Sequence, residues 1–233
     1  MTKLNKFIAQ SGFCSRRKAT ELIKDKQITV NGTVTTEPFY EVQSTDAVKV
    51  KNKLIKPQDK LLYFLLNKPQ DVICTSSDPQ GRTTILEFFR GFKERLYPIG
   101  RLDRNTTGLI IITNDGELTQ KLSHPKFNIS KTYHVITHKP VTPAHIQTLH
   151  KGVRLEDGFM KVDKARIIPR TKNKVELTIH SGKKHIIKRL FKQLGYFVEK
   201  LDRIRFATLN KKGVRLGSYR PLTKQEIQEL QEL

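Results

Sequence analysis

Up to about residue 60 the chain carries an apolar pattern of its own, separate from that of the remainder, and so reads as two modules. Before that point Leu4, Phe7 and Ile8 recur at helical spacing, and Gly12 ends the segment. Ser15 can cap a second helix that carries Ala19, Leu22 and Ile23 on one face. Ile28-Thr29-Val30 and Thr33-Val34 then flank Asn31-Gly32, a pair suited to the positive backbone angles of a two-residue hairpin. A further strand pair is expected around Val48 and Val50. Asp59 and Lys60 mark the seam, so the expected division is 1–60 and 61–233. The second part opens with a strand-like run, Leu61 to Leu66, closed by Asn67-Lys68-Pro69. More strands read at Leu109–Thr113, Lys131–Thr137 and Val175–Ile179. Between the last two lies a helix with Thr142 as its cap, Pro143 in its first position and Gly152 past its end. Strands and helices intermix without regular βαβ alternation. The prediction is an α+β fold: a small domain of helices plus a hairpin, then a domain with a mixed or antiparallel central β-sheet flanked by helices.

Charge narrows the function. Lys and Arg number 44 against 22 Asp and Glu, a formal net charge of +22. Residues 1–60 hold 12 of the basic and 6 of the acidic side chains, so the excess covers both parts and is no basic tail on a neutral body. Such a field draws polyanions, nucleic acid first and anionic membrane second. Membrane is the weaker reading. No apolar run approaches the roughly 20 residues of a span, and no basic amphipathic helix with large exposed apolars is evident. The start, MTKLNKFIAQ, carries charges inside its apolar stretch and no cleavage-type signal. Cys14 and Cys74 allow at most one bridge and no zinc set, which fits reduced thiols in a cytoplasmic protein. His180 and His185 stand five apart with no carboxylate beside them, so no metal site is expected.

Four groups of residues stand out chemically. Arg16, Arg17 and Lys18 fill the first turn of the second helix, where cations oppose the helix dipole by roughly 0.3–1 kcal/mol each. An anionic ligand there would remove the conflict; a solvated basic face is the plain alternative. In Pro98-Ile99-Gly100-Arg101-Leu102-Asp103-Arg104-Asn105-Thr106-Thr107-Gly108, Asp103 stands between two arginines that favour its charged form. That suits a nucleophile or base and not a general acid, although a turn aspartate between exposed arginines reads the same way. A second basic element runs from Ser181 to Phe191, with Ile186, Ile187, Leu190 and Leu194 on an apolar helix face that Gly195 stops. Lys184, Lys188 and Lys192 are expected to stack along its exposed side, a repulsion that an RNA backbone would reverse. It is no phosphate loop of the Walker kind, since the first glycine and the terminal Ser or Thr are missing. Tyr133 alternates with Val135 on one strand face, as a core tyrosine or as a ring that stacks on an exposed base.

Residues LNKFIAQSGFCSRRKATELI and the ITVNG hairpin resemble the S4 RNA-binding domain over about 50 residues, which implies RNA binding and no chemistry. From Tyr63 to about Thr223 the chain resembles the RsuA/RluB family of ribosomal RNA pseudouridine synthases. The resemblance rests on YFLLNKP, GRLDRNTTGLIIITNDGEL, HPKFNISKTYHV, KGVRLEDG, KKHIIKRLF with LGYFVEKLDRI, and LGSYRPLT, in the family's own order. It implies that Asp103 is the essential aspartate and that Arg101 helps extrude the target nucleotide. It also implies that Tyr133 stacks on the uracil, Ile187 packs against it and Lys188 pairs with Asp103. Arg16, Arg17, Lys18, Arg104, Lys183, Lys184, Arg189 and Lys192 are the expected RNA contacts. The implied reaction is an isomerisation that needs no cofactor, ATP or metal. The expected partner is ribosomal RNA or a ribosome assembly intermediate, met by a monomer. Ile186, Leu190 and Ser181 depart from the family's usual glutamine, methionine and glutamate. Those departures are the support for an RNA-binding assembly factor without catalysis, against which Asp103, Tyr133 and Lys188 weigh. KKHIIKRLF leans toward the small-subunit type, whereas HPKFNISKTYHV and KGVRLEDG lean toward large-subunit rRNA, the preferred reading.

Overall fold

The computed structural model describes residues 1–76 and 78–233, which cluster into two compact units. The first comprises Met1–Leu62 with the short segments Gly91–Leu96 and Asn114–Gly116. Two helices, α1 (Leu4–Gln10) and α2 (Arg16–Lys24), precede strands β1 (Ile28–Val30), β2 (Thr33–Val34), β3 (Val48–Val50) and β4 (Lys53–Leu54). These strands form a sheet in the order β2-β1-β3-β4. Ser15 caps α2 by accepting the Lys18 backbone N–H, and Asn31 and Gly32 both take positive φ in the hairpin. The core consists of Leu4, Ile8, Ala19, Leu22 and Ile23 from the helices, packed on Ile28, Val30, Val48 and Val50. Helix and hairpin patterns read from the sequence therefore meet in one small core.

The second unit is built on one mixed sheet. Its strands are β5 (Tyr63–Lys68), β6 (Thr106–Thr113), β7 (Lys131–Thr137), β8 (Lys164–Ile167), β9 (Lys174–Ile179), β10 (Val198–Phe206) and β11 (Tyr219–Pro221). They lie in the order β8-β9-β7-β10-β6-β5-β11, with short strands Leu209–Asn210 on β10 and Tyr97–Pro98 on β6. Along this path only β10 and β6 run parallel; the other neighbours are antiparallel. Strand β6 is buried almost throughout, as its unbroken Leu109–Ile112 run requires of a strand covered on both faces. Strands β7 and β9 alternate instead, with Tyr133, Val135 and Thr137 turned inward. Helices α3 (Gly116–Ser123) and α6 (Lys224–Glu232) bury Leu118, Leu122 and Leu230 against Leu65, Leu109, Ile111 and Phe206. Helix α4 (Pro143–Lys151) has the expected cap, Thr142 accepting the His145 N–H, and ends at Gly152. The α+β expectation with a mixed central sheet is the fold observed.

Three strand boundaries differ from the sequence reading by two or more residues, each for a local reason. Strand β5 starts at Tyr63 rather than Leu61, because the Asn114 side chain takes the Leu62 N–H and the Lys60 carbonyl, each at 2.8 Å. It ends at Lys68, since Asn67 and Lys68 pair with Leu109 and Gly108. Strand β6 starts at Thr106, because Thr106, Thr107 and Gly108 pair with Leu201, Asp202 and Arg203. Gly108 has no alternative there: a Cβ would lie 2.3 Å from the Arg203 carbonyl oxygen.

Candidate active site

Asp103 lies in the loop that enters β6, and the surrounding backbone holds that loop from several sides. The Leu102 N–H donates to the buried Cys74 sulfur at 3.3 Å. The Asp103 carbonyl accepts the Thr106 N–H at 3.0 Å, and the Arg104 carbonyl accepts the Asp71 N–H at 3.1 Å. Beneath the loop Lys68 is fully buried. Its ammonium donates to the carbonyls of Pro69 and Val72, both at 2.9 Å, and of Arg104 at 3.1 Å. These three acceptors match the ammonium's three protons, compensating a cation whose pKa burial pushes down.

Helix α5 (Ile186–Gln193) delivers the partners of the carboxylate. The Lys188 ammonium stands 3.0 Å from Asp103 Oδ2, and His185 Nε2 stands 3.3 Å from Oδ1. His185 precedes the helix in a left-handed conformation (φ 52°), which turns its ring to the same end of α5 as Lys188, three residues on. The Lys188 pairing coincides with the one that the sequence resemblance implied. Two other sequence readings need correction. Arg101 and Arg104 are not the cations at Asp103: Arg104 turns to Asp71 at 3.0 Å, and Arg101 is exposed at the edge of the cleft. The histidines do have carboxylates beside them, Asp103 for His185 and Asp163, at 2.8 Å, for His180. Folding brought those partners in across the sequence, where neighbour counting finds nothing. The signal available for His185 was its three-residue spacing from Lys188.

The carboxylate faces a cleft of about 840 Å³, within the usual size of a small-ligand site. Tyr133, Ile186, Ile187, Leu201 and Ile99 supply apolar wall, while Arg101, Lys131, Lys183 and His185 bring polar groups. Ile186 and Ile187 are buried, so the departure at Ile186 places an apolar side chain on the wall where a polar one would stand in the family. Two basic residues that the sequence did not single out also line it. Arg203 is 2 % exposed; its Nε donates to the Leu109 carbonyl at 2.6 Å and its guanidinium lies 4.8 Å from the Phe206 ring centre. Lys131 is pushed down to about 8 by burial and, secondarily, by Arg203. Its strand also carries Glu199, Lys200, Asp202 and Arg205, so charge does not mark Arg203; only its alternation with Leu201 on the buried face does.

The expected RNA contacts divide by whether they already have partners. In the first unit Arg16 donates to Asn5 at 3.3 Å and Lys18 pairs with Glu21 at 2.9 Å, while Arg17 is exposed. In the second, Arg189 forks the Asp157 carboxylate, and Lys183 reaches the same residue's carbonyl at 2.9 Å. Lys184 and Lys192 are exposed. The expected row of three stacked lysines is corrected: α5 starts at Ile186, so Lys184 lies outside it and only Lys188 and Lys192 share a helical face. Among the described residues no group of three or more His, Cys, Asp or Glu is placed to hold a metal. No helix among them is long and apolar enough to cross a membrane.

Comparison with known proteins gives a consistent result. The family model described as RNA pseudouridylate synthase matches residues 62–193, and that of the S4 domain matches residues 2–48. The ribosomal large subunit pseudouridine synthase B of Bacillus subtilis is 42 % identical, with 100 % of this chain and 97 % of that protein covered. The dual-specificity RNA pseudouridine synthase RluF of Salmonella typhi is 35 % identical over 98 % of this chain and 78 % of its own length. A crystal structure described as a pseudouridylate synthase superposes with a TM-score of 0.70 at 31 % identity, covering 99 % of this chain and 100 % of that one.

Proposed function

Since the chain belongs to the RNA pseudouridylate synthase family, an isomerase family acting on RNA, we propose that it converts one uridine of large-subunit ribosomal RNA to pseudouridine. The observation that carries this reading is the Asp103 carboxylate held 3.0 Å from Lys188 at a cleft walled by Tyr133 and Ile187. In this exchange the N1–C1′ bond breaks, the uracil turns, and a C5–C1′ bond forms. A proton leaves C5 as N1 gains one, so atoms and electrons balance. The base must first leave its stack, at a cost of a few kcal/mol, and backbone contacts by basic side chains offset that cost.

Each residue then has a part. Asp103 supplies the reacting carboxylate, with Lys188 keeping its charge compensated once RNA excludes water and His185 standing at its other oxygen. Tyr133 stacks on the flipped uracil and Ile187 packs against it. Arg101, exposed at the cleft edge, fills or opens the place the nucleotide leaves. Arg17, Lys184 and Lys192 meet phosphates directly. Arg16, Lys18, Arg104, Lys183 and Arg189 do so from positions already braced by protein partners. Residues 1–60 hold folded RNA while residues 61–233 flip and rearrange one nucleotide. The enzyme works as a cytoplasmic monomer on ribosomal RNA or on an assembly intermediate.

Pseudouridine mapping in rRNA from a strain lacking this chain tests the reading. The expected result is the loss of one large-subunit pseudouridine, restored by the wild-type protein and not by Asp103→Asn. A complete large-subunit pattern in the deletion strain, or a loss confined to the small subunit, would overturn it.

A further inference from the structure

A short hairpin at the lip of the cleft carries a ring that the interior does not use. Its strands, Val153–Leu155 and Gly158–Met160, pair antiparallel, with Arg154 directly opposite Phe159. Val153 and Met160 point inward and are buried. Phe159 is 65 % exposed, yet it lines the same cleft as Asp103. Phe39 and Phe197 are similarly exposed, as single surface rings often are, but only Phe159 of the three lines the cleft.

This ring is also held in place. It rests over Gly152, where a Cβ would lie 2.1 Å from the Phe159 Cζ, so only glycine lets it sit there. The hairpin turn is tied to α5: Arg189 forks the Asp157 carboxylate and Lys183 approaches it at 3.5 Å. Arg189 follows Lys188, the residue paired with Asp103, so the lip and the reacting carboxylate are braced by consecutive residues of one helix.

We infer that Phe159 is a stacking platform for an unpaired nucleobase next to the flipped uridine, with Arg154 and Lys183 facing the flanking phosphates. The inference rests on the reading of the cleft as the uridine site. A single fixed aromatic among cations matches a nucleotide, which has a flat face and a negative backbone, and does not match the broad apolar face of a protein partner. The stack fixes the register of the RNA, so that the intended uridine and not its neighbour reaches Asp103.

The test uses a synthetic RNA stem-loop containing the mapped target uridine, with 2-aminopurine placed in turn on its 5′ and 3′ side. Wild-type protein is expected to quench one of the two probes. Phe159→Ala should abolish that quenching and raise KM roughly ten-fold, with kcat affected far less. Phe159→Tyr should restore both, and Phe159→Leu, apolar but without a π face, should restore neither. Removing the base at the quenched position should weaken wild-type binding to the level of Phe159→Ala and weaken that variant no further. Equal KM for Phe159→Ala and wild type, or full rescue by leucine, would overturn the inference while leaving the cleft assignment intact. A wild-type protein that makes no pseudouridine in this RNA would overturn the cleft assignment and the inference together.

Discussion

Consecutive residues of α5 serve two carboxylates in different ways. Arg189 forks both oxygens of Asp157, with Lys183 in support, and that pairing holds the Asp157 carboxyl down at about 2. Asp103 instead has one cation at one oxygen, Lys188 on Oδ2, and a histidine at the other, His185 on Oδ1. A guanidinium fork uses the in-plane lone pairs and fixes orientation, whereas an ammonium is a point charge that leaves acceptor directions open. Asp157 is thereby a structural tie. Asp103 keeps its charge compensated and its oxygens approachable from the cleft.

The largest expected effect follows from removing the charge on the approachable member. Asp103→Asn should lower pseudouridine formation by at least about a thousand-fold with RNA affinity near wild type, since catalytic groups contribute on that order. Tritium release from C5-labelled RNA reads it, and a variant retaining a tenth of the wild-type rate would remove Asp103 from the reaction.

Lys188→Ala should slow the single-turnover rate on the order of a hundred-fold, because RNA closing over the cleft would leave a desolvated carboxylate without its cation. Lys188→Arg should keep most of the rate. If alanine only loosened RNA binding, the contrast between a compensated reactive carboxylate and a structural tie would fail.

Substitutions at the basic positions sharpen the contrast further. Lys184→Ala and Lys192→Ala should each weaken RNA binding a few-fold and reduce the salt slope by about 1, with the saturated rate kept. Filter binding across a salt series measures both. Identical slopes would exclude them as phosphate contacts.

The smallest effect is the acid behaviour of the tie. A carboxyl lowered from 3.8 to about 2 in the folded state adds stability that is fully present above the unfolded value and is lost as pH falls through the folded one. The difference in urea midpoint between wild type and Asp157→Asn should thus be constant above about pH 5 and close between about pH 4 and 2. A difference that persists unchanged at pH 2 would show that the variant acts through packing and not through charge.

Much of the site was legible as motif and little of it as geometry. Asp103, Tyr133 and Lys188 stand out because loops, strands and helices announce themselves over a few residues, and family motifs sit on them. Arg203 and Phe159 did not, because a charged residue inside a strand and an aromatic in a hairpin look ordinary until the cleft they share is formed. His185 was passed over because its carboxylate lies 82 positions earlier in the numbering, brought near by β6 and β10 pairing in parallel at Gly108 and Arg203.

Local chemistry alone settled the caps at Ser15 and Thr142, the Asn31-Gly32 hairpin and the alternation of Lys131–Thr137. Those depend on backbone angles and side-chain reach within four residues, which every copy of the chain carries in its sequence. Local residues do not say which cation meets which carboxylate; the family resemblance implied Lys188 for Asp103, and the register of the sheet sets the pairs in space. Arg101 and Arg104 flank Asp103 along the chain, yet Lys188 and His185 hold it, because strand pairing places α5 over the loop and turns Arg104 toward Asp71. Ion pairs follow distance through space, and only the packed sheet sets that distance.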